Sequence, residues 1–311
     1  MSQDLPSHER WAILEWSTGR PREWFIARPE SEWLSVAEAP LAGRLFAARA
    51  AGQPLAYLLG EREFYGRRFW IRPGVLIPRA DSELLVDAAL ETARNGLRVL
   101  DLGCGSGCLG ISIALELRAR GLACSLTMVD TSPEAVATSR DNAQWLGVDA
   151  EVMLGDWWGP IATNGDGAQP VARRTHAPSA QNGHDASAWT GAKGSDVADH
   201  KLFDLVVSNP PYVRPDDPHL QVGDLRFEPA QALVGHAPTA DGLADYRRIL
   251  LGVPAHLAPG GMLLLEHGHD QQSDVLALVG QAGLVNAQGL DDLSNRPRAV
   301  RAFAPPLGHY D

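Results

Sequence analysis

Cysteine is scarce in this chain of 311 residues: Cys104, Cys108 and Cys124 are all there are, and their positions give neither a disulfide framework nor a paired metal motif. Reduced thiols among apolar neighbours, in a reducing compartment, are the expectation. No apolar run approaches the length of a membrane span. The first residues, Met1 to Pro6, lack a basic region followed by an apolar one, so no signal peptide is read there and a cytoplasmic location is expected. An excess of positive charge is missing too. The formal net charge of −11 opposes long non-specific contact with nucleic-acid phosphates. What is present, 45% hydrophobic and 21% charged residues, is ordinary for a globular enzyme with ample core.

The organisation follows from punctuation and periodicity. In residues 1–60, Trp11, Ile13, Leu14 and Trp16, then Trp24 to Ile26, then Trp33 to Leu45, recur at helical spacing. Pro21, Pro29, Pro40 and Pro54 cut this stretch into short helices, with the tryptophans as a small core or a partner surface. Residues 61–80 read as a β-hairpin and linker, with aromatics on both sides of Gly66. Asp81 or Ser82 is expected to cap the helix that follows. From Leu97 to Phe303, strands alternate with helices, which predicts an α/β fold whose mostly parallel sheet has helices on both faces. Residues 160–201, rich in Gly, Ala, Ser, Asn, Asp and His, break the alternation and are expected to form a disordered surface insert within the 81–311 domain. His176, His184 and His200 within it match no metal template.

The chemistry concentrates at strand ends, where such sheets bind ligands. Asp101-Leu102-Gly103-Cys104-Gly105-Ser106-Gly107 joins a strand to a helix, and its glycines let a ligand approach the backbone. Asp101 at the strand end would repel a pyrophosphate and suits the positive amino-acid end of a ligand. Asp130, ending the next strand, is placed to accept two ribose hydroxyls. Together they favour S-adenosylmethionine over a nicotinamide dinucleotide. Asp156 can meet an adenine amine, and the Trp157 indole can stack on the purine. After the apolar run Phe203–Val207 comes Asn209-Pro210-Pro211-Tyr212. An Asn side chain and a proline carbonyl there offer two acceptors to one planar NH2 group beside an aromatic ring, whether an amide or an exocyclic amine. Arg226 to Pro229 is read as a loop over the substrate side, Arg79 and Glu83 as bordering the cofactor pocket, and His267 as structural.

These segments, with Gln53 to Gly60, Glu63 to Gly66, Leu76 to Arg79 and Asp217 to Pro229, resemble the bacterial release factor N5-glutamine methyltransferases, the PrmC/HemK family. The resemblance covers nearly the whole length apart from the insert. It departs at Ala80, where the family usually has a second proline. It implies a seven-stranded, Rossmann-like class I methyltransferase domain with a small N-terminal helical domain for substrate recognition. The implied reaction is methyl transfer from S-adenosylmethionine to the glutamine of the Gly-Gly-Gln motif of peptide chain release factors. Asp101, Leu102, Gly103, Cys104, Gly105, Asp130, Asp156 and Trp157 are then expected to hold the cofactor. Asn209, Pro210, Pro211 and Tyr212 are expected to hold the glutamine, with Asn209 touching both ligands and Asn209, Pro210 and Tyr212 serving catalysis. Asn-Pro-Pro-Tyr also occurs in ribosomal-protein glutamine methyltransferases and in DNA adenine N6-methyltransferases. The first usually lack Ile77-Pro78-Arg79 with Asp81-Ser82-Glu83 and the Arg226–Pro229 segment; the second would carry a basic recognition region, and none is visible here. Direct contact with nucleic acid or membrane is not expected.

Overall fold

The computed structural model describes residues 5–162 and 202–307. The first helices are α1 (Ser7–Thr18), α2 (Arg22–Ile26), α3 (Ala39–Ala50) and α4 (Leu55–Leu59). Their apolar faces meet in a core of their own, built on Ile13, Leu14, Phe25, Trp33, Leu45 and Phe46. Trp33 is buried, and its indole N–H is satisfied by the carbonyls of Phe25 at 2.9 Å and Arg28 at 3.0 Å. Trp11 and Phe25 pack against Trp33, while Trp16 stays 42% exposed.

The strands β1 (Glu61–Phe64) and β2 (Arg67–Trp70) form the hairpin. Its two-residue turn has positive φ at both Tyr65 (50°) and Gly66 (68°), the sense of twist that suits a right-twisted strand pair. Phe64 and Phe69 are buried edge to face, so the hairpin is sewn to the main body by its aromatic side.

The main body begins at α5 (Glu83–Leu90). It continues through β3 (Leu97–Leu102), α6 (Cys108–Ala119), β4 (Cys124–Asp130), α7 (Pro133–Trp145), β5 (Ala150–Leu154) and the short α8 (Gly159–Ala162). After β6 (Phe203–Ser208) come α9 (Ala230–Val234), α10 (Ala244–His256), β7 (Leu257–Glu266), α11 (Gln272–Gln281), β8 (Val285–Asp291) and β9 (Pro297–Phe303). The sheet has seven strands in the order β5-β4-β3-β6-β7-β9-β8, parallel through β7 and antiparallel at β9 and β8. β3 and β6 are buried along almost their whole length, polar Asp101, Asp204 and Ser208 included, so neither shows the apolar–polar alternation of a half-exposed strand.

Two expectations change. Pro160–Ala162 belong to α8 rather than to a loop, and Ile161 is buried in the core; the rest of the expected insert, with His176, His184 and His200, lies outside the described residues. Ser82 does not cap α5: no side-chain cap bond is formed there, because its hydroxyl points to a different partner.

Candidate active site

Chain order places the site. From β3 the chain moves outward to β4 and β5, and only later returns to set β6 on the other flank of β3. The reversal leaves a crevice beyond the carboxyl ends of β3 and β6. Leu102 pairs with Ser208, whose hydroxyl donates to the Leu102 carbonyl at 2.6 Å, so the turns after these two residues start side by side. The crevice is a cavity of about 320 Å³, within the usual range for small-molecule sites. Gly103, Cys104, Gly105, Asp130, Asp156, Trp157, Asn209 and Pro211 all line it.

On the β3–β5 side, the amides of Gly103 and Cys104 donate to the Val129 carbonyl at 2.8 and 3.0 Å, pinning the glycine turn to β4. The Asp130 carboxylate accepts from Gly105 N–H at 2.8 Å with one oxygen and from Ser132 N–H at 2.9 Å with the other. Each oxygen keeps acceptor capacity for a ligand. Burial raises the pKa of this carboxyl, and the Ser132, Gly105 and Thr131 amides oppose the rise. Trp157 takes φ 46° and lays its ring over Gly103, where a Cβ would come within 3.3 Å of the indole; its N–H donates to Asp245 at 3.3 Å. Asp156 is paired with Arg248 at the mouth.

Asp101 and Leu102 are placed elsewhere. Both are fully buried, and neither reaches the cavity. The Asp101 side chain turns into the sheet–helix interface and accepts from Gly110 N–H at 2.9 Å. That amide is one of the orphan donors in the first turn of α6, whose cap position is Gly107, with no side chain to offer. Asp101 thus caps α6 from the neighbouring strand through Oδ2, while its Oδ1 is buried without a partner. Burial pushes its carboxyl up to about 7.

On the β6 side, Asn209 and Pro211 reach the cavity, whereas Pro210 is buried and Tyr212 stands outside the wall. The Tyr212 ring packs into the core on the α10 side, and its hydroxyl donates to Glu266 at 3.2 Å, so it does not face the cavity as a flat wall. Arg79 lines the cavity; Glu83 does not, and instead accepts the Tyr65 N–H at 2.8 Å. Pro229 closes the substrate side, and Glu228 beside it is buried, paired with Arg79 and accepting Ile77 N–H at 2.9 Å. His267 is buried with Nδ1 on the Gly268 carbonyl at 2.8 Å, and burial lowers its pKa.

Residues 78–166 match the family described as "Methyltransferase small domain". A release factor glutamine methyltransferase of Bordetella pertussis is 38% identical, covering 94% of this chain and 93% of its own length. The protein of the same name from Neisseria gonorrhoeae is 38% identical over 98% of this chain and 94% of its own. The chain belongs to the release factor glutamine methyltransferase family. A solved release factor-specific protein-(glutamine-N5) methyltransferase from Alicyclobacillus acidocaldarius is 26% identical, with a TM-score of 0.40 over 76% of this chain and 100% of that one.

For a member of the release factor glutamine methyltransferase family, the residues that sequence reasoning missed are informative. Ser82, Thr131, Gln231, His236 and Asp245 also line the cavity. Gln231 and His236 both reach the Thr131 hydroxyl, at 3.3 and 3.1 Å, closing the rim beside Asp130. Ser82 reads only as a helix cap, and the other four carry no local pattern that points to a ligand. Glu266, buried behind the Asn209–Tyr212 turn, did leave a signal: it is a charge ending the otherwise apolar run Met262–Leu265.

Proposed function

We propose that this protein transfers the methyl group of S-adenosylmethionine to the side-chain amide nitrogen (N5) of the glutamine in the Gly-Gly-Gln motif of peptide chain release factors, in the cytoplasm. The observation that carries the proposal is the adjacency of Asn209 to the glycine turn and Asp130 in one cavity. The residues fit the cofactor. Asp130 keeps an acceptor site on each oxygen for a ribose diol, Trp157 offers a ring face for adenine, and the Gly103–Gly105 backbone gives close approach without side chains in the way. When bound, S-adenosylmethionine supplies a sulfonium-activated methyl group.

The chain supplies orientation. Asn209 Oδ1 accepts one N–H of the substrate amide and the main-chain carbonyl of Pro210, whose residue is buried between the cavity-lining Asn209 and Pro211, accepts the other, which holds the nitrogen toward the cofactor half of the crevice. A conjugated amide nitrogen is a poor nucleophile, and acceptors on both hydrogens favour the rehybridised form that can attack. Asn209 and Pro210 hold the amide in place while its nitrogen takes the methyl group, the sulfur–carbon bonding pair staying with the cofactor as the thioether. The nitrogen is acidic once methylated and releases its extra proton to water, so no strong base is required. Release factors are the protein partner, with no contact to nucleic acid or membrane; among the described residues no helix is long and apolar enough to cross a membrane.

The test is incubation of the purified protein with a release factor, a ribosomal-protein fraction and DNA, each with isotope-labelled cofactor, followed by mass mapping. Label on the Gly-Gly-Gln glutamine is expected. Label on a ribosomal protein or on adenine, with none on the release factor, would overturn the proposal.

A further inference from the structure

Behind the Asn209–Tyr212 turn lies a carboxylate that the transfer step does not use. Glu266 ends β7 and is 1% exposed. A carboxylate so placed is costly unless its oxygens are hydrogen-bonded. Both are. Oε2 accepts from the Ser82 hydroxyl at 2.5 Å, and Oε1 accepts from the Tyr212 hydroxyl at 3.2 Å. Ser82 Oγ in turn accepts from Asn209 Nδ2 at 3.2 Å. One side chain therefore grips both ends of the turn, and its own backbone carbonyl is held by the Tyr246 hydroxyl at 2.7 Å.

The chain of bonds has a direction. While Glu266 is ionised, its carboxylate takes the one hydrogen of the Ser82 hydroxyl, so Ser82 can only accept from Asn209. The Asn209 amide must then turn its NH2 toward Ser82, which leaves Oδ1 as the free acceptor. With a hydroxyl free to donate instead, the amide could flip and present a donor to a substrate that also offers only donors. We infer that Glu266 is a positioning residue for methyl transfer: through Ser82 it fixes the Asn209 amide with Oδ1 toward the substrate nitrogen, and it holds Tyr212 directly. This rests on Asn209 being the acceptor for the substrate amide.

A mutant cycle in the full-length protein tests it. Glu266→Gln is isosteric but brings one acceptor and one donor in place of two acceptors; Ser82→Ala cuts the link at a single atom; Ser82→Thr restores the hydroxyl. At saturating cofactor, Glu266→Gln and Ser82→Ala are each expected to lower kcat by about tenfold or more, and Ser82→Thr to recover most of the loss. Cofactor Kd, measured by titration, should stay within about threefold, since the geometry lost is that of the amide half. In an Asn209→Ala background neither change should lower kcat further, because the group they orient is gone. Unchanged kcat in both single variants, or losses as large in the Asn209→Ala background, would overturn the inference while leaving Asn209 its role. Full kcat in Asn209→Ala alone would overturn both.

Discussion

Asp101 shows how a residue in a recognisable motif can take a structural partner that its position does not reveal. In a strand buried on both faces, alternation is lost and sequence cannot say which way a side chain points. Asp101 points to α6 and caps it through Gly110, where an added Cβ would meet the Asp101 Cβ at 3.1 Å. Asp130 was readable because it stands at the end of its strand, where the chain leaves the sheet and the carboxylate must turn into the crevice. The burial of Asp101 has a pH signature, which its bond to Gly110 N–H opposes. Burial lifts the Asp101 carboxyl from 3.8 to about 7, so between those values the folded protein holds a proton that the unfolded chain has released. Stability is then greatest below the lower value, falls as pH rises, and levels off above about 7. Glu266, raised by burial from 4.5 to about 7, adds a slope of the same sign. Thermal unfolding of Asp101→Asn across this range should show a shallower dependence of Tm on pH than the parent protein. An unchanged slope would assign the titration elsewhere.

Among the elements, the sheet was nearly complete in the sequence. The apolar run Phe203–Val207 gave β6 its place to within a residue, and the aromatics on both sides of Gly66 gave the hairpin. What local pattern could not supply was long-range pairing. Ser82 looks like a helix cap because it precedes a helix, but its hydroxyl partner is Glu266, 184 residues away. The segment from 217 to 229 is the other case: its Arg226–Pro229 end read only as a loop over the substrate side, whereas its anchors come from two distant places, the end of α3 and the stretch before α5. Arg49 of α3 pairs with Asp224 at 2.8 Å, Arg226 donates to the Ala51 carbonyl at 3.1 Å, and buried Glu228 takes Ile77 N–H and Arg79. Glu228→Ala would strand a buried amide and a half-buried guanidinium, at a cost of about 2 kcal/mol. Denaturant unfolding should show that loss in the midpoint, with Glu228→Gln costing less because its amide oxygen can keep one of the two bonds.

At the scale of the molecule, the tryptophan-rich N-terminal helices serve two ends. Most of their aromatic surface is spent on their own core, and what remains exposed is Trp16, Ile26 and Val36. Through Arg49 and Ala51 they also hold the 217–229 segment over the crevice. We propose that this unit also grips the release factor away from the methylated loop. Removing residues 1–60 should then raise KM for an intact release factor far more than for a short glutamine peptide. Equal increases would show that the helices act only through the segment they hold. One paired measurement tests most directly the proposed division of the crevice into a cofactor half beyond β3, β4 and β5 and an amide half beyond β6: cofactor Kd and single-turnover methyl transfer at saturating cofactor, in Asp130→Ala and Asn209→Ala. Asp130→Ala should weaken cofactor binding by about tenfold or more, and Asn209→Ala should bind cofactor normally while transferring methyl on the order of 10²-fold more slowly. An Asn209→Ala protein that binds cofactor normally and transfers at the parent rate would contradict the account.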